Sequence, residues 1–357
     1  MDARAKKAAI ILVEYSTKIK KNDRVTINCN NESKELALEI YRQALRKEAY
    51  PEIRATLAGQ SYAYYANASE EQLKKFPKKA WYDIKNTDVV IFLGSPENTR
   101  ELTNIDPKLV STRQKILRKI QRYRVEKTRW CIFDYPCNAL AQEAEMSLEE
   151  FEEFVYSSTN IDWAEHTKKM NHLKEIIDKG SVARIIGKDT DITFGIKGRK
   201  GVNSGGTHNL PDGEVFTAPE ENTTTGYISY TFPAIYGGRE VDGVKLGFEK
   251  GKVVKCEATK NEDFLKKMIS MDKGSCKLGE FGIGTNFGIK KFCKLILFDE
   301  KIGGTIHLAL GSAYKECGGK NTSGLHWDMI KDLRKEAGGG KIIIDGKVIQ
   351  EDGKFLI

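Results

Sequence analysis

The 357-residue chain has no apolar run longer than six residues, Ala8–Val13. A membrane-crossing helix needs about 20 apolar residues, so no such span is predicted. The first residues, MDARAKKAAIILVEYS, lack a signal-type apolar stretch followed by a small-residue cleavage site, and a cytoplasmic protein is expected. Cysteine is sparse: Cys29, Cys131, Cys137, Cys256, Cys276, Cys293 and Cys317, with no C-x-x-C spacing. An odd number without that spacing argues against a disulfide framework or a zinc ribbon and for reduced, mostly buried thiols. Familiar catalytic signatures are also missing. There is no H-E-x-x-H and no G-x-S-x-G. GIGTNFG (282–288) is one residue too long for a dinucleotide fingerprint, and GGGKI (338–342) lacks the Ser or Thr of a phosphate loop.

Charge is present but uneven. Lys plus Arg number 58 against 50 Asp plus Glu, a net +8. Residues 108–129 hold nine Lys or Arg and one acid, Glu126, so this stretch carries the whole excess. Its spacing reads as an amphipathic helix with Leu109, Ile116, Leu117 and Ile120 turned inward. Aromatic interleaving is thin, and no specific nucleic-acid binding is expected.

The first half alternates strand and helix. DRVTINC (23–29), EIRATLAG (52–59), DVVIFLG (88–94) and RWCIFDYP (129–136) read as strands. Residues 31–47 read as a helix with Leu36, Ile40, Ala44 and Leu45 on one face and Asn31 as N-cap. This pattern predicts a mostly parallel sheet with covering helices. Residues 138–180 read as helical, with a capping box at Ser147 and Glu150 and a stop at Gly180. Beyond Ser181 the chain becomes β-rich and glycine-punctuated: VARIIG, TDITFGI, GYISYTFPAI, GVKLGFEKG, KVVKCEAT and KLILFDE all read as extended. A helix is predicted at 262–272 and a final hairpin turning at Asp345-Gly346. The expected organisation is α/β: an α/β domain over 1–183, with a helical C-terminal part, then a β-rich α+β metal-binding domain over 184–357.

Only five histidines occur. His166 and His172 are expected on a helix surface, and His208 in a polar loop. His326-Trp327-Asp328 on an extended segment aims an imidazole and a carboxylate to one side. His307 lies in the apolar segment GGTIHLALG, as a satisfied core residue or a ligand. Glu214, Glu280 and Asp299-Glu300 stand in apolar or glycine-rich settings, where an unpaired charge is expensive. Two histidines with several acids and no cysteine form an oxygen/nitrogen donor set. It suits Zn, Mn or Co, and the acid excess suits two divalent ions.

NLPDGEVFTAPEENTTTGYISY, LGEFGIGTN, LFDEKIGGTIHLALGSAY, GGKNTSGLHWDMI and DYPCNALAQEAEMSLEEFEEF together resemble the thermophilic aminopeptidase family of metallopeptidases. The likeness runs over roughly 130–357 and is strongest at 209–330. It implies a dimeric two-metal exopeptidase that releases N-terminal residues from peptides. It also implies metal ligands Glu214, Glu280, Glu300, His307, His326 and Asp328, with catalytic parts for Glu280 and Tyr314. At the family's Asp-Glu-Asn motif the third residue here is Lys301, and the stretch from Glu300 to His307 is two residues longer. A bridging water activated by the metals would be the nucleophile. Two other readings are a two-metal hydrolase of a phosphate ester, drawing on 108–129, and a metal-binding homologue without activity.

Overall fold

The computed structural model describes residues 1–357. It divides into two compact units, Met1–Asn160 with Gly206–Pro211, and Ile161–Gly205 with Asp212–Ile357.

The first unit is built on five parallel strands in the order Tyr50–Ala55, Arg24–Cys29, Val89–Gly94, Arg129–Asp134, Asn209–Leu210. Val89, Val90, Ile91 and Leu93 of the central strand are all buried, the continuous apolar pattern of a strand covered on both faces. The helix Lys34–Arg46 begins after Ser33 rather than at Asn31. Its Leu36, Ile40 and Ala44 are buried as expected, but Leu45 is exposed. The segment between the second and third strands holds helices Gln60–Asn67, Glu70–Lys74 and Lys78–Lys85, which the sequence pattern does not announce. The chain opens on a helix, Ala3–Ile10, running into a π-helical turn, Ile11–Ser16. The basic stretch is the helix Pro107–Lys127, capped by Asp106. Its inward-expected Leu109, Ile116, Leu117 and Ile120 are only half-buried, and Val125 is exposed. Three of its cations lie over aromatic rings, Arg113 5.7 Å from the Tyr64 centroid, Lys119 4.7 Å from that of Trp81 and Arg124 4.3 Å from that of Trp130, which gives part of the charge a packing role.

The expected boundary at 183/184 does not coincide with the division of the compact units. The helical region is three helices, Asn138–Glu143, Leu148–Thr159 and Trp163–Lys179. Both hydrogen bonds of the Ser147–Glu150 capping box form. The third helix goes with the second unit because its Met170, Leu173 and Ile177 belong to that unit's apolar core.

The second unit contains two antiparallel sheets facing one core. One has eight strands, Lys252–Glu257, Lys245–Glu249, Thr225–Ser229, Thr190–Gly195, Val182–Gly187, Gly340–Ile344, Lys347–Glu351 and Lys354–Phe355 in that order. The other has five, His326–Asp332, Thr305–Gly311, Leu278–Gly284, Glu214–Thr217 and Val202–Ser204. The Phe194 and Phe281 rings meet edge to face at 5.0 Å across the layer. Asp345 and Gly346 both have positive φ at the final hairpin, as a tight turn of this kind requires. Two readings need correction. GYISYTFPAI breaks at Phe232-Pro233 into separate strands, Thr225–Ser229 and Ala234–Tyr236. KLILFDE is not extended: it forms a short helix, Ile296–Asp299, since a mixed apolar run carries no period of its own.

Candidate metal centre

In the five-stranded sheet, alternation sorts the side chains into two faces. Val215, Phe281, Ile283, Ile306, Leu308, Leu310, Trp327 and Met329 go to the core. Glu214, Glu280, His307, His326 and Asp328 occupy the alternate positions, so they share the opposite face. The expected pairing of His326 and Asp328 on one side holds, with Trp327 buried between them. Each of these five is paired in register with a glycine or alanine: Glu214 with Gly284, His307 with Gly282, His326 with Gly311, and both Glu280 and Asp328 with Ala309. Small partners leave space above the sheet for the larger polar groups.

The donor atoms converge. His307 Nε2 lies 3.4 Å from Glu214 Oε2 and 3.5 Å from Glu280 Oε1. His326 Nε2 lies 3.2 Å from Glu280 Oε2 and 3.5 Å from Asp328 Oδ2. Both rings are oriented from behind: Nδ1 of His307 donates to the Glu300 carbonyl at 3.0 Å, and Nδ1 of His326 to the Ser312 carbonyl at 2.8 Å. A carbonyl can only accept, so each Nδ1 carries the proton and each Nε2 is the atom presented to the acids. Two overlapping donor sets result, Glu214–Glu300–His307 and Glu280–His307–Asp328, each with its ligand atoms within 4.8 Å of one another.

Burial makes this cluster electrostatically demanding. Glu214 Oε2 and Asp328 Oδ1 are buried without a hydrogen-bond partner. Burial, with Glu300 and Glu280 nearby, holds the Glu214 carboxyl well above its ordinary range against the pull of Lys301 and His307. Burial raises Asp328 to about 6. Burial also opposes charge on Glu280, but hydrogen bonds from His307 and His326 outweigh it and bring it down to about 2. Both imidazoles are driven the other way: burial lowers them, while Glu280 and the neighbouring acids raise each to about 10. Orphaned carboxylate oxygens facing aimed imidazole nitrogens are what a divalent cation satisfies, so the residues fit a metal.

Glu300 is less simply placed. Its carboxylate is hydrogen-bonded to the ammonium of Lys301, which is completely buried and also lies 3.7 Å from Glu214 Oε1. Asp299 faces away from the cluster's chemistry: it accepts the Cys293 N–H at 2.7 Å, and burial raises it to about 7. Tyr314 is extended, just before a short 3₁₀ turn, Lys315–Cys317. Its ring lies edge-on to His326 at 5.2 Å and 5.3 Å from the Phe216 ring, so it borders the donor set. His172 is exposed, as expected, but His166 is half-buried with Nε2 3.0 Å from the Thr285 hydroxyl. His208 lies tilted against the Trp130 ring, 4.7 Å between centroids, in the first unit. Residue-type reasoning overlooked Gly282 and the burial of Lys301. The Gly282-Ile283-Gly284 spacing of LGEFGIG and a lysine inside the run ILFDEKIGG are the available signals.

A buried N/O donor set on one sheet face is the architecture of a metal-dependent enzyme. The chain belongs to the thermophilic metalloprotease (M29) family, whose model matches residues 1–355. It is 25% identical over 394 aligned positions to aminopeptidase AmpS of Bacillus subtilis, covering 97% of this chain and 94% of that one. It is 24% identical over 290 positions to aminopeptidase 2 of Geobacillus stearothermophilus, 71% and 70% of the two chains. Among solved structures, wild-type AmpT from Thermus thermophilus superposes with a TM-score of 0.84 at 22% identity over 99% of both chains. The chain is thus a metallopeptidase, and the α/β fold with its β-rich second part is the fold of that structure.

Proposed function

We propose that this chain is a metal-dependent aminopeptidase whose site is the donor cluster of the second unit: Glu214, Glu280, Glu300, His307, His326 and Asp328. The observation that carries the reading is the division of Glu280, Oε1 facing His307 and Oε2 facing His326. A carboxylate split between two imidazoles suits the link between two adjacent ion positions, and the N/O donors suit Zn, Co or Mn. When bound, such ions lower the pKa of a coordinated water and polarise a scissile carbonyl. The residues do the rest. The Nδ1 bonds fix both rings, so the Nε2 atoms need no reorganisation. Glu280 stays ionised through its two histidine contacts. The acidic lining attracts the free α-amine of a peptide, which confines attack to the first peptide bond. The Tyr314 hydroxyl is a donor for the oxyanion that forms on the carbonyl. Nothing favours the phosphate-ester reading: the ammonium nearest the cluster, Lys301, is already paired with Glu300 and Glu214.

The test is hydrolysis of a panel of amino-acyl amides and N-blocked counterparts after chelation and re-addition of Zn, Co or Mn. Free amino termini should be required, and activity should return with metal; cleavage of the N-blocked substrates, or full activity in chelator, would exclude the reading. A homodimer is part of the proposal, supported by the family resemblance, and a monomer by sedimentation at micromolar concentration would remove it.

A further inference from the structure

Resting on the metal-site reading above, we infer that the two ion positions of this chain are unequal, because Lys301 already supplies a fixed positive charge to one of them. Of the two donor sets, Glu214–Glu300–His307 contains the residues held by the Lys301 ammonium, whereas the acids of Glu280–His307–Asp328 pair with imidazoles alone and with no lysine or arginine. Lys301 is completely buried, which is rare for lysine and tolerated only with counter-charges beside it. Glu300 is committed to this ammonium by hydrogen bond. One oxygen of Glu214, Oε1, faces it as well, leaving Oε2 for an ion. The lysine has little freedom to withdraw. Its carbonyl accepts the Asn286 N–H at 3.0 Å and its own N–H donates to the Phe298 carbonyl at 3.0 Å, so the backbone is pinned at both ends of the residue.

An ion entering the Glu214 position therefore meets a reduced ligand set, its acids already partly neutralised, and a like charge buried beside it, where charges interact far more strongly than in solvent. One ion should bind tightly through Glu280 and Asp328 together with His326, whose Nε2 lies within 3.5 Å of both acids, and the second weakly through Glu214 and His307, where the two positions adjoin. Lys301 thus acts as a positioning residue that grades the centre.

The experiment is titration of the chelator-stripped full-length protein with cobalt(II), read by visible absorption and calorimetry. We expect one tight equivalent and a second at least about tenfold weaker. In Lys301→Met, which keeps the bulk and removes the charge, the second constant should tighten by at least about tenfold while the first is unchanged; Lys301→Arg should keep the gap. Circular dichroism establishes that each variant folds. Should Lys301→Met not fold, Glu300→Gln serves instead, and it should leave the tight equivalent in place. Two equivalents of like affinity in the wild type, an unchanged gap in folded Lys301→Met, or loss of the tight equivalent in Glu300→Gln would overturn the inference. Absence of any cobalt binding, or binding indifferent to Glu280→Gln, would instead sink the metal-site reading itself and the inference with it.

Discussion

Gly282 lies directly opposite His307 in the antiparallel ladder, and the imidazole fills the volume that a side chain at 282 would need. A Cβ placed there would stand 2.0 Å from both Cε1 and Nε2 of His307. The close approach, not a left-handed backbone, demands glycine at this position.

Gly282→Ala should consequently displace the His307 ring and its aim. We expect metal content to fall and activity with it, while the secondary structure stays close to native by circular dichroism. Near-wild-type metal content in Gly282→Ala would show that the sheet yields more readily than its close packing suggests.

Glu280→Gln keeps the shape and removes the charge shared by both histidines. Cobalt affinity should drop by more than about a hundredfold, beyond what outer-shell changes cost, and peptide hydrolysis should cease. Calorimetry beside an amino-acyl amide assay measures both. Retention of metal and activity would move the centre of the site away from this residue.

Tyr314→Phe should separate chemistry from ligation. Loss of one oxyanion donor lowers turnover by on the order of 10²–10³, and bound metal, measured by elemental analysis, should stay at the wild-type level. A fully active Tyr314→Phe would reduce the tyrosine to packing on Phe216 and His326.

Metal binding should strengthen as pH rises. In the metal-free protein His307 and His326 are raised from 6.5 to about 10, so both are protonated near neutrality and an ion must displace those protons. The logarithm of the cobalt constant should climb with pH, with a slope of about 2 per unit while both imidazoles are protonated, flattening as they deprotonate above about 10. The stability sign is opposite. A folded-state pKa above the unfolded value contributes stability that is complete below 6.5 and is lost as pH rises through about 10. Chelated protein should therefore lose melting temperature over that window more steeply than metal-loaded protein. A flat pH dependence of both quantities would mean the imidazoles are neutral in the free protein.

The parts of this molecule that could be read from its residues are those with a strong local period. DVVIFLG is a central parallel strand with Val89, Val90, Ile91 and Leu93 buried, and the two-residue spacing of His326 and Asp328 places them on one face. Helices with weak or short periodicity escaped, as between Gln60 and Lys85, where none of Gln60–Asn67 or Lys78–Lys85 is fully buried. Tertiary facts were beyond local pattern. Nothing near Trp163 says that its helix joins the second core, and nothing near Lys301 says that its ammonium is shut in with Glu300 and Glu214. The donor set was named from residue types and family likeness, whereas its glycine and alanine neighbours emerge only from strand register.

Because the apolar core and the polar cluster are the two sides of the same strands, they share a single reading frame. One residue inserted between Thr305 and Ile306 would turn Ile306, Leu308 and Leu310 outward and drive the His307 imidazole into the hydrocarbon layer. Length can thus vary in the loops around this sheet, but a single residue added or removed inside its strands exchanges inside for outside unless a bulge absorbs it, as between Leu278 and Glu280.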